Sequence, residues 1–338
     1  MIDMSMPLEK GTVLLTGHAG FIGSQILRDL IKEDYRVVAI DNFSEGSNFE
    51  NYAGLSNDPE VFIGFKADIA DPKLSKTLES FKIDRIDYII NCAAQSHVDR
   101  SFDQVGKFID SNIKGPLNLA KIALDPKWGV KRFVHVSTDE VFADSPQPFH
   151  EGSQYTPQNA YASSKAAAEM FLRNYYRAFD LPLIITNGAN TYGERQLEEK
   201  IIPLTIKRIT LGQKVPLYKT PARRMWLHVE DHSSGIISAM QFGEVGESYC
   251  LAPEIENELF TEDLVKKICV LLEVDFDKVI DYVEDRPNYD LRYYMLNDKA
   301  KYKLGWSSCK CISDELPTIV AHYKEKFKNE PIKAEDIS

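Results

Sequence analysis

No apolar run in this 338-residue chain approaches the length of a membrane span, and no signal peptide precedes the first strand-like segment. A soluble, cytoplasmic protein with no membrane partner is expected. Positive charge is also scarce: 40 Lys and Arg face 51 Asp and Glu, a net charge of −11. That balance offers no basic field for nucleic-acid phosphates and leaves room only for a local cationic pocket around a small anion. The cysteines are five, Cys92, Cys250, Cys269, Cys309 and Cys311, odd in number and without zinc-finger spacing. Cys309 and Cys311 have no further ligands nearby, so no metal is expected and all five read as reduced thiols. Internal repeats and low-complexity blocks are missing too. What the chain does have is 43% hydrophobic residues, enough for a large core.

Those apolar residues alternate between two periods. Thr12 to Leu15 is β-prone, and "SQILRDLIKED" spaces Ile26, Leu27, Leu30 and Ile31 along one helical face. "YRVVAID" follows as a strand, so residues 11–41 make a β-α-β unit. The rhythm continues through "VFIGFKADI", "KLSKTLESF", "IDYIINCAA", "FIDSNIKGPLNLAKIAL", "KRFVHVS", the Ala-rich "AYASSKAAAEMFLRNYYRAF" and "LPLIITNGA". This order predicts an α/β fold, a doubly wound parallel sheet of Rossmann type, with a smaller irregular lobe after Ala189. The dinucleotide-binding domain is expected over 8–189, with 225–250 returning to it. The substrate lobe is expected over 190–224 and 251–325, and a polar tail over 326–338.

In "TGHAGFIG", Gly17, Gly20 and Gly23 lie between a strand and a helix. Glycine permits a tight turn and lets a pyrophosphate approach the helix N-terminus, where free N–H groups favour anions. A turn alone would account for the glycines. Asp41, which ends the next strand about twenty residues on, is the second clue, because a carboxylate there suits ribose hydroxyls and repels a 2′-phosphate. NAD is therefore the expected cofactor.

"YASSK" sets Tyr161 and Lys165 four apart on one helical face. A phenol ordinarily ionises near pH ~10. A neighbouring ammonium and a cationic nicotinamide would stabilise the phenolate and lower that value, so the pair can take a proton from an alcohol. "STDEV", Ser137 to Val141, closes the fifth strand with Thr138, Asp139 and Glu140. Two adjacent carboxyls in unlike environments can divide acid and base work, since repulsion raises one pKa.

The glycine loop, Asp41, "NCAAQSHVDRS", the Thr-bearing strand end and YxxxK together resemble the extended short-chain dehydrogenase/reductase family. "AAQSHVDRSF", "VSTDEVF", "NAYASSKAAAE", "YGERQLEEKIIPL" and "EDRPNYDLRY" are similar to its nucleotide-sugar 4,6-dehydratases, over nearly the whole chain. The resemblance implies oxidation at C4 of a nucleoside diphosphate hexose, loss of water across C5 and C6, and return of the hydride to C6. Thr138 would orient the 4-hydroxyl, Glu140 would take the C5 proton and Asp139 would protonate the C6 oxygen. Around the cofactor it implies Phe21 and Ile22 at the pyrophosphate, Asn42 and Ser44 at the ribose, and Asp68 and Ile69 over the adenine. Ala93, Ala94, Gln95 and Asn112 would line or support the cofactor, and Gly188 would meet the nicotinamide. Ser96, Glu199 and Lys200 would lie near the hexose, Asn190, Arg224 and Arg286 on the diphosphate, and Pro216, Tyr218 and Tyr289 at the nucleobase end. A homodimer through a four-helix bundle, built on the helices carrying Asn112 and Tyr161, is also implied.

Departures from the pattern cluster around the sugar and nucleotide: Asn187 replaces an Arg, Thr191 an Asn, Glu194 and Glu198 prolines, and Tyr289 a frequent His. A 5,6-dehydratase fits the same residues. An epimerase or decarboxylase of the same fold has no use for Asp139 and Glu140, and a non-catalytic NAD-binding regulator would be expected to lack Tyr161 or Lys165.

Overall fold

The computed structural model describes residues 10–55, 58–144 and 147–329. Residues 8–9, the expected start of the first domain, and 330–338, most of the expected tail, lie outside them. In chain order the first six strands are β1 (Thr12–Thr16), β2 (Arg36–Asp41), β3 (Phe62–Lys66), β4 (Tyr88–Asn91), β5 (Arg132–Thr138) and β6 (Leu183–Gly188). They are followed by β7 (Asn190–Tyr192), β8 (Val215–Tyr218), β9 (Arg223–His228), β10 (Ser248–Leu251), β11 (Glu258–Phe260), β12 (Ile280–Val283) and β13 (Arg292–Tyr293).

A seven-stranded parallel sheet runs β10-β6-β5-β4-β1-β2-β3. Its strands are apolar almost without interruption because both faces are covered, as a helix-wrapped parallel sheet requires. Val13, Leu15, Val37 and Ile90 pack on one side with the helices Phe21–Lys32 and Val229–Phe242. Leu14, Val38, Ile89 and Ile185 face the other side with Leu119 and Leu172. Strand order reverses at β1, which pairs with β2 on one side and β4 on the other. The crevice at the carboxyl ends beside this reversal is where such sheets bind ligands.

The segment 225–250 returns to this sheet only in part. The helix Val229–Phe242 packs on it and β10 extends its edge beside β6, but β9 pairs with β7, β11 and β13 in a separate sheet. An apolar "RRMWLH" marks a buried strand without naming its neighbours, and here those neighbours lie in the smaller lobe. β8 and β12 form a two-stranded ribbon beside it. The lobe has its own core of Ile202, Ile206, Leu264, Ile268, Leu316, Val320 and Tyr323. Phe327 is buried in that core, and the helix Ile312–Asn329 runs through the first residues assigned to a tail. Among the described residues no helix is long and apolar enough to cross a membrane.

Candidate active site

The turn after β1 is built on glycines that nothing larger could replace. Gly17 has φ +74°, and a Cβ there would meet Ala93 backbone at 2.8 Å. A Cβ on Gly23 would fall 2.0 Å from the Gly17 carbonyl oxygen. The loop thus folds tightly against the start of the helix Phe21–Lys32, leaving its first N–H groups open to an anion. A cavity of about 890 Å³ opens from this cradle along the strand ends. Gly17, Gly20, Phe21, Ile22, Gly23, Asp41, Asn42, Ser44, Asp68, Ile69, Ala93, Ala94, Gln95 and Gly188 all line it, so the cofactor-side residues fit an extended dinucleotide such as NAD.

Asp41 and Asn112 have partners of their own within the protein. Asp41 already accepts from the Ala19 N–H (3.1 Å), the Phe43 N–H (2.8 Å) and the Ser47 hydroxyl (2.8 Å). A ribose hydroxyl would share these acceptor oxygens rather than find them free. Asn112 does not line the cavity. It is fully buried behind the wall, exchanging hydrogen bonds with the Gln95 backbone at 2.8 and 2.9 Å and donating to Ser164 Oγ at 2.9 Å. Its role is to pin the Gln95 loop to the helix Ala160–Phe179.

That helix begins at Asn159, whose side chain accepts from the Ala162 N–H (2.8 Å) and so caps the first turn. The same amide donates to Glu140 Oε2 at 3.1 Å, so one residue both starts the helix and holds the carboxylate. Register sets Thr138 beside Gly188. Beyond Thr138 the chain makes a short 3-10 turn, Asp139–Phe142, and leaves it through Ala143 at φ +61°, a backbone conformation side chains rarely adopt. Thr138, Asp139, Glu140, Tyr161 and Lys165 all reach the cavity.

Their electrostatics are unequal. Burial, followed by the charge of Glu140, pushes the Asp139 carboxyl up to about 7, while Thr138 Oγ1 lies 3.1 Å from its Oδ1. Glu140 is only half-buried and faces Asn159. Adjacent carboxyls thus stand in unlike settings, one able to carry a proton near neutrality. In the protein alone, burial and the Glu140 charge raise the Tyr161 pKa, with the Thr138 hydroxyl opposing. Lys165 is itself drawn down to about 8 by burial. It donates to the Val136 carbonyl at 2.7 Å and lies 3.4 Å from His135 Nε2. His135 is neutral, because burial and Lys165 hold its pKa far down, and it meets the Asn91 amide at 3.0 Å. Asn91 in turn accepts from Thr16 at 2.7 Å.

On the substrate side Ser96, Asn190, Glu199 and Lys200 line the cavity. The Asn190 Oδ1 is buried without a partner among the described residues, as an acceptor awaiting a ligand would be. Pro216, Tyr218, Arg224, Arg286 and Tyr289 do not line it; Tyr218, Arg224, Arg286 and Tyr289 form a cluster of their own. Tyr218 and Tyr289 meet edge to face at 4.7 Å, and the guanidiniums of Arg224 and Arg286 sit 5.6 and 5.5 Å from the Tyr289 ring. Arg224 spends two donors on the carbonyls of Arg223 and Asp290. Its charge still bears on Asp139, which places the cluster within electrostatic reach of the acid pair.

Several cavity residues escaped the reading of motifs. Arg100 bridges Glu45 (2.5 Å) and Glu199 (3.2 Å), and His97 meets Glu199 at 3.2 Å, so a clasp joins the short helix Val98–Asp103 to the loops carrying Glu45 and Glu199. His97 and Arg100 lie inside the "NCAAQSHVDRS" block, which was their only signal. His232 also lines the cavity, with Nδ1 2.7 Å from the Thr191 hydroxyl and burial drawing its pKa down to about 4. No spacing in the sequence marked it.

Comparison with known proteins agrees with this geometry. Residues 14–314 match the family described as GDP-mannose 4,6 dehydratase. The dTDP-glucose 4,6-dehydratase of Neisseria gonorrhoeae is 34% identical over 93% of this chain and 96% of its own length. The mouse (Mus musculus) dTDP-D-glucose 4,6-dehydratase is 34% identical over 94% of this chain and 90% of its own. The dTDP-glucose 4,6-dehydratase of Streptomyces venezuelae, solved with NAD bound, superposes with a TM-score of 0.86 at 34% identity, covering 93% of this chain and 97% of that one. With a family match across most of its length and a cavity carrying the corresponding glycine loop, Thr-Asp-Glu turn and Tyr-Lys helix, the chain belongs to the nucleotide-sugar 4,6-dehydratases of the extended short-chain dehydrogenase/reductase family.

Proposed function

We propose that the chain converts a nucleoside diphosphate hexose of the dTDP-glucose or UDP-glucose type to its 4-keto-6-deoxy product. The observation that carries this reading is the placement of Asp139 and Glu140, neighbours in sequence but unlike in burial, in one cavity with Tyr161 and Lys165. NAD, held by the glycine loop, Asp41 and the Gln95 wall, would supply the hydride acceptor at C4 and the hydride returned to C6.

The protein's own groups handle the protons. Thr138 orients the 4-hydroxyl and Tyr161 removes its proton. Burial works against the phenolate, so the Lys165 ammonium and the cofactor's positive ring must offset it. The C4 ketone acidifies C5–H, and Glu140, braced by Asn159, takes that proton. Asp139, protonated up to about 7, donates to the departing C6 oxygen. The UDP-glucose 4-epimerase of Thermotoga maritima shares the fold at a TM-score of 0.83 and 26% identity, but a 4-epimerisation has no task for a C5 base and a C6 acid. Asn190 and Lys200 would contact the sugar diphosphate from the cavity wall. The cluster of Tyr218, Tyr289, Arg224 and Arg286 would take the nucleotide end.

Exposed Phe102, Val105, Ile109, Met170 and Phe171 lie on or near the helices carrying Asn112 and Tyr161, which supports a homodimer through those helices. Free thiols at all five cysteines suit a cytoplasmic setting. The decisive experiment incubates the purified protein, without added NAD, with a panel of nucleoside diphosphate hexoses and follows loss of one water by mass. Turnover of a dTDP- or UDP-glucose substrate is expected, and no water loss from any member of the panel would overturn the assignment.

A further inference from the structure

Among the buried ionisable groups to which the mechanism gives no task is Glu169. Glu169 sits one helical turn beyond Lys165 and is wholly shielded from solvent. It accepts from Ser137 Oγ at 2.5 Å, from Asn187 Nδ2 at 2.9 Å and from the Tyr155 hydroxyl. Asn187 Nδ2 also donates to the Thr138 carbonyl at 3.1 Å. A single carboxylate therefore links the end of β5, the end of β6 and the helix that carries Tyr161 and Lys165. Arg173, partly exposed, makes only a long ion pair with Oε2 at 3.8 Å and gives its hydrogen bonds to the Tyr155 hydroxyl and Ser248 Oγ, so it offsets the Glu169 charge in part.

Lys165 needs such a charge. Its partners are the Val136 carbonyl and neutral His135, neither of them an anion. Around it stand Tyr161 on its own helix, Cys92 at the end of β4, and Asp139 and Glu140 beyond β5. Cys92 stays a neutral thiol, since burial lifts it to about 12, and the charges of Asp139 and Glu140 act on the Tyr161 phenol. Around Glu169 stand Tyr155, Arg173, Lys165 and the buried thiol Cys250. Against the burial that depresses Lys165, the largest opposing influence is Glu169.

We propose that Glu169 is a positioning residue whose buried negative charge keeps Lys165 an ammonium while its hydrogen bonds hold the Thr138 strand end in place. The inference rests on the reading of Tyr161 and Lys165 as the proton-handling pair. Asn187, which stands where relatives are expected to carry an arginine, belongs to the same arrangement: a neutral amide contacts the carboxylate without cancelling its charge.

The sign of the effect is definite. Without the Glu169 charge, the Lys165 pKa falls below about 8. A neutral lysine no longer stabilises the phenolate, so the Tyr161 pKa rises further. The acid limb of the pH–rate profile, set by Tyr161, then moves to higher pH, whereas a purely structural lesion lowers the rate without moving it.

A direct test labels lysine at Cε with carbon-13 in the NAD-bound protein, assigns Lys165 by its loss in Lys165→Met, and titrates it by NMR. In Glu169→Gln the midpoint should drop by about one pH unit. In Glu169→Asp, which keeps the charge, it should return most of the way. An unchanged midpoint in Glu169→Gln, or equal drops in both variants, would overturn the proposal. Should Glu169→Gln fail to fold, Arg173→Met tests the opposite sign: it removes the competing cation at the margin of the network, so the midpoint should rise, and no rise defeats the idea. The titration needs no turnover, so it fails or succeeds separately from the water-loss assay on the wild-type protein.

Discussion

At the floor of the crevice, Thr16, Asn91, His135 and Lys165 form a buried line at the ends of β1 and β4, midway along β5 and on the adjoining helix, each within 3.4 Å of the next. At the far end, Tyr218, Tyr289 and Arg286 meet through ring contacts, and among the described residues Arg286 is ion-paired only with Asp99, at 3.7 Å. The first group is placed by parallel register, which leaves each strand side chain little freedom. The second is placed by loops and short strands from several parts of the chain. Chemistry that must be exact to a fraction of an ångström sits on the first, and recognition that can tolerate adjustment sits on the second.

The largest effect should come from the floor. Tyr161→Phe removes the acceptor for the alcohol proton and should lower turnover by about 10²–10⁴-fold, with NAD binding intact because the glycine cradle is untouched. Retention of NAD through gel filtration, measured beside turnover, checks both halves. Comparable loss of NAD would dissolve the distinction between a binding wall and a reacting floor. Glu140→Gln should next cut solvent deuterium entry at C5 by about 10²-fold while C4 oxidation persists, read as transient absorbance of reduced cofactor under single turnover. Undiminished exchange would remove Glu140 from the C5 proton.

Asp139 sharpens the comparison through pH. Its folded pKa of about 7 lies above the unfolded value, so between about pH 4 and 7 the folded state binds more protons than the unfolded one. The stability contributed by that excess is full at low pH and is lost as pH rises toward 7. Asp139→Asn should therefore be more stable than the parent at pH 7.5, by an amount on the order of 2 kcal/mol, and the difference should vanish near pH 4. Denaturant midpoints at the two pH values measure it. The same variant should lose the alkaline fall in activity around pH 7 together with most of its dehydration rate.

How much of this could be read in the residues follows the same division. The β-α-β alternation, the glycine loop and the Tyr-Lys pair are local patterns, and the structure brings Gly17, Gly23, Thr138, Asp139, Glu140, Tyr161 and Lys165 to one cavity. Asn112 stands behind the wall because its neighbours across 17 and 52 residues, Gln95 and Ser164, decide which way it faces. β9 left the main sheet because its partners β7, β11 and β13 arrive from distant stretches. Burial raises the Tyr161 phenol, and burial is a property of the assembled site about which spacing on a helix carries no information. Glu169 was invisible for the same reason: an acid four residues after a lysine usually marks a solvated helix face.

The smallest predicted effect belongs to the far end. Arg286 is mostly buried, yet among the described residues its only ion pair is the longer contact to Asp99, and its guanidinium leans on Tyr289. A diphosphate would offer it charge-assisted hydrogen bonds that Asp99 does not. Arg286→Ala should thus raise KM by about tenfold, the value of one such interaction, with kcat within about twofold. Arg224→Ala should do more, since Arg224 also braces the Asp290 carbonyl and its charge favours ionisation of Asp139. Losing it should lift the Asp139 pKa and carry the alkaline limb of the rate profile upward, a shift Arg286→Ala should not produce. If both substitutions changed KM alone, the cluster would be a uniform binding surface. A limb that moves only in Arg224→Ala would show where recognition hands over to chemistry.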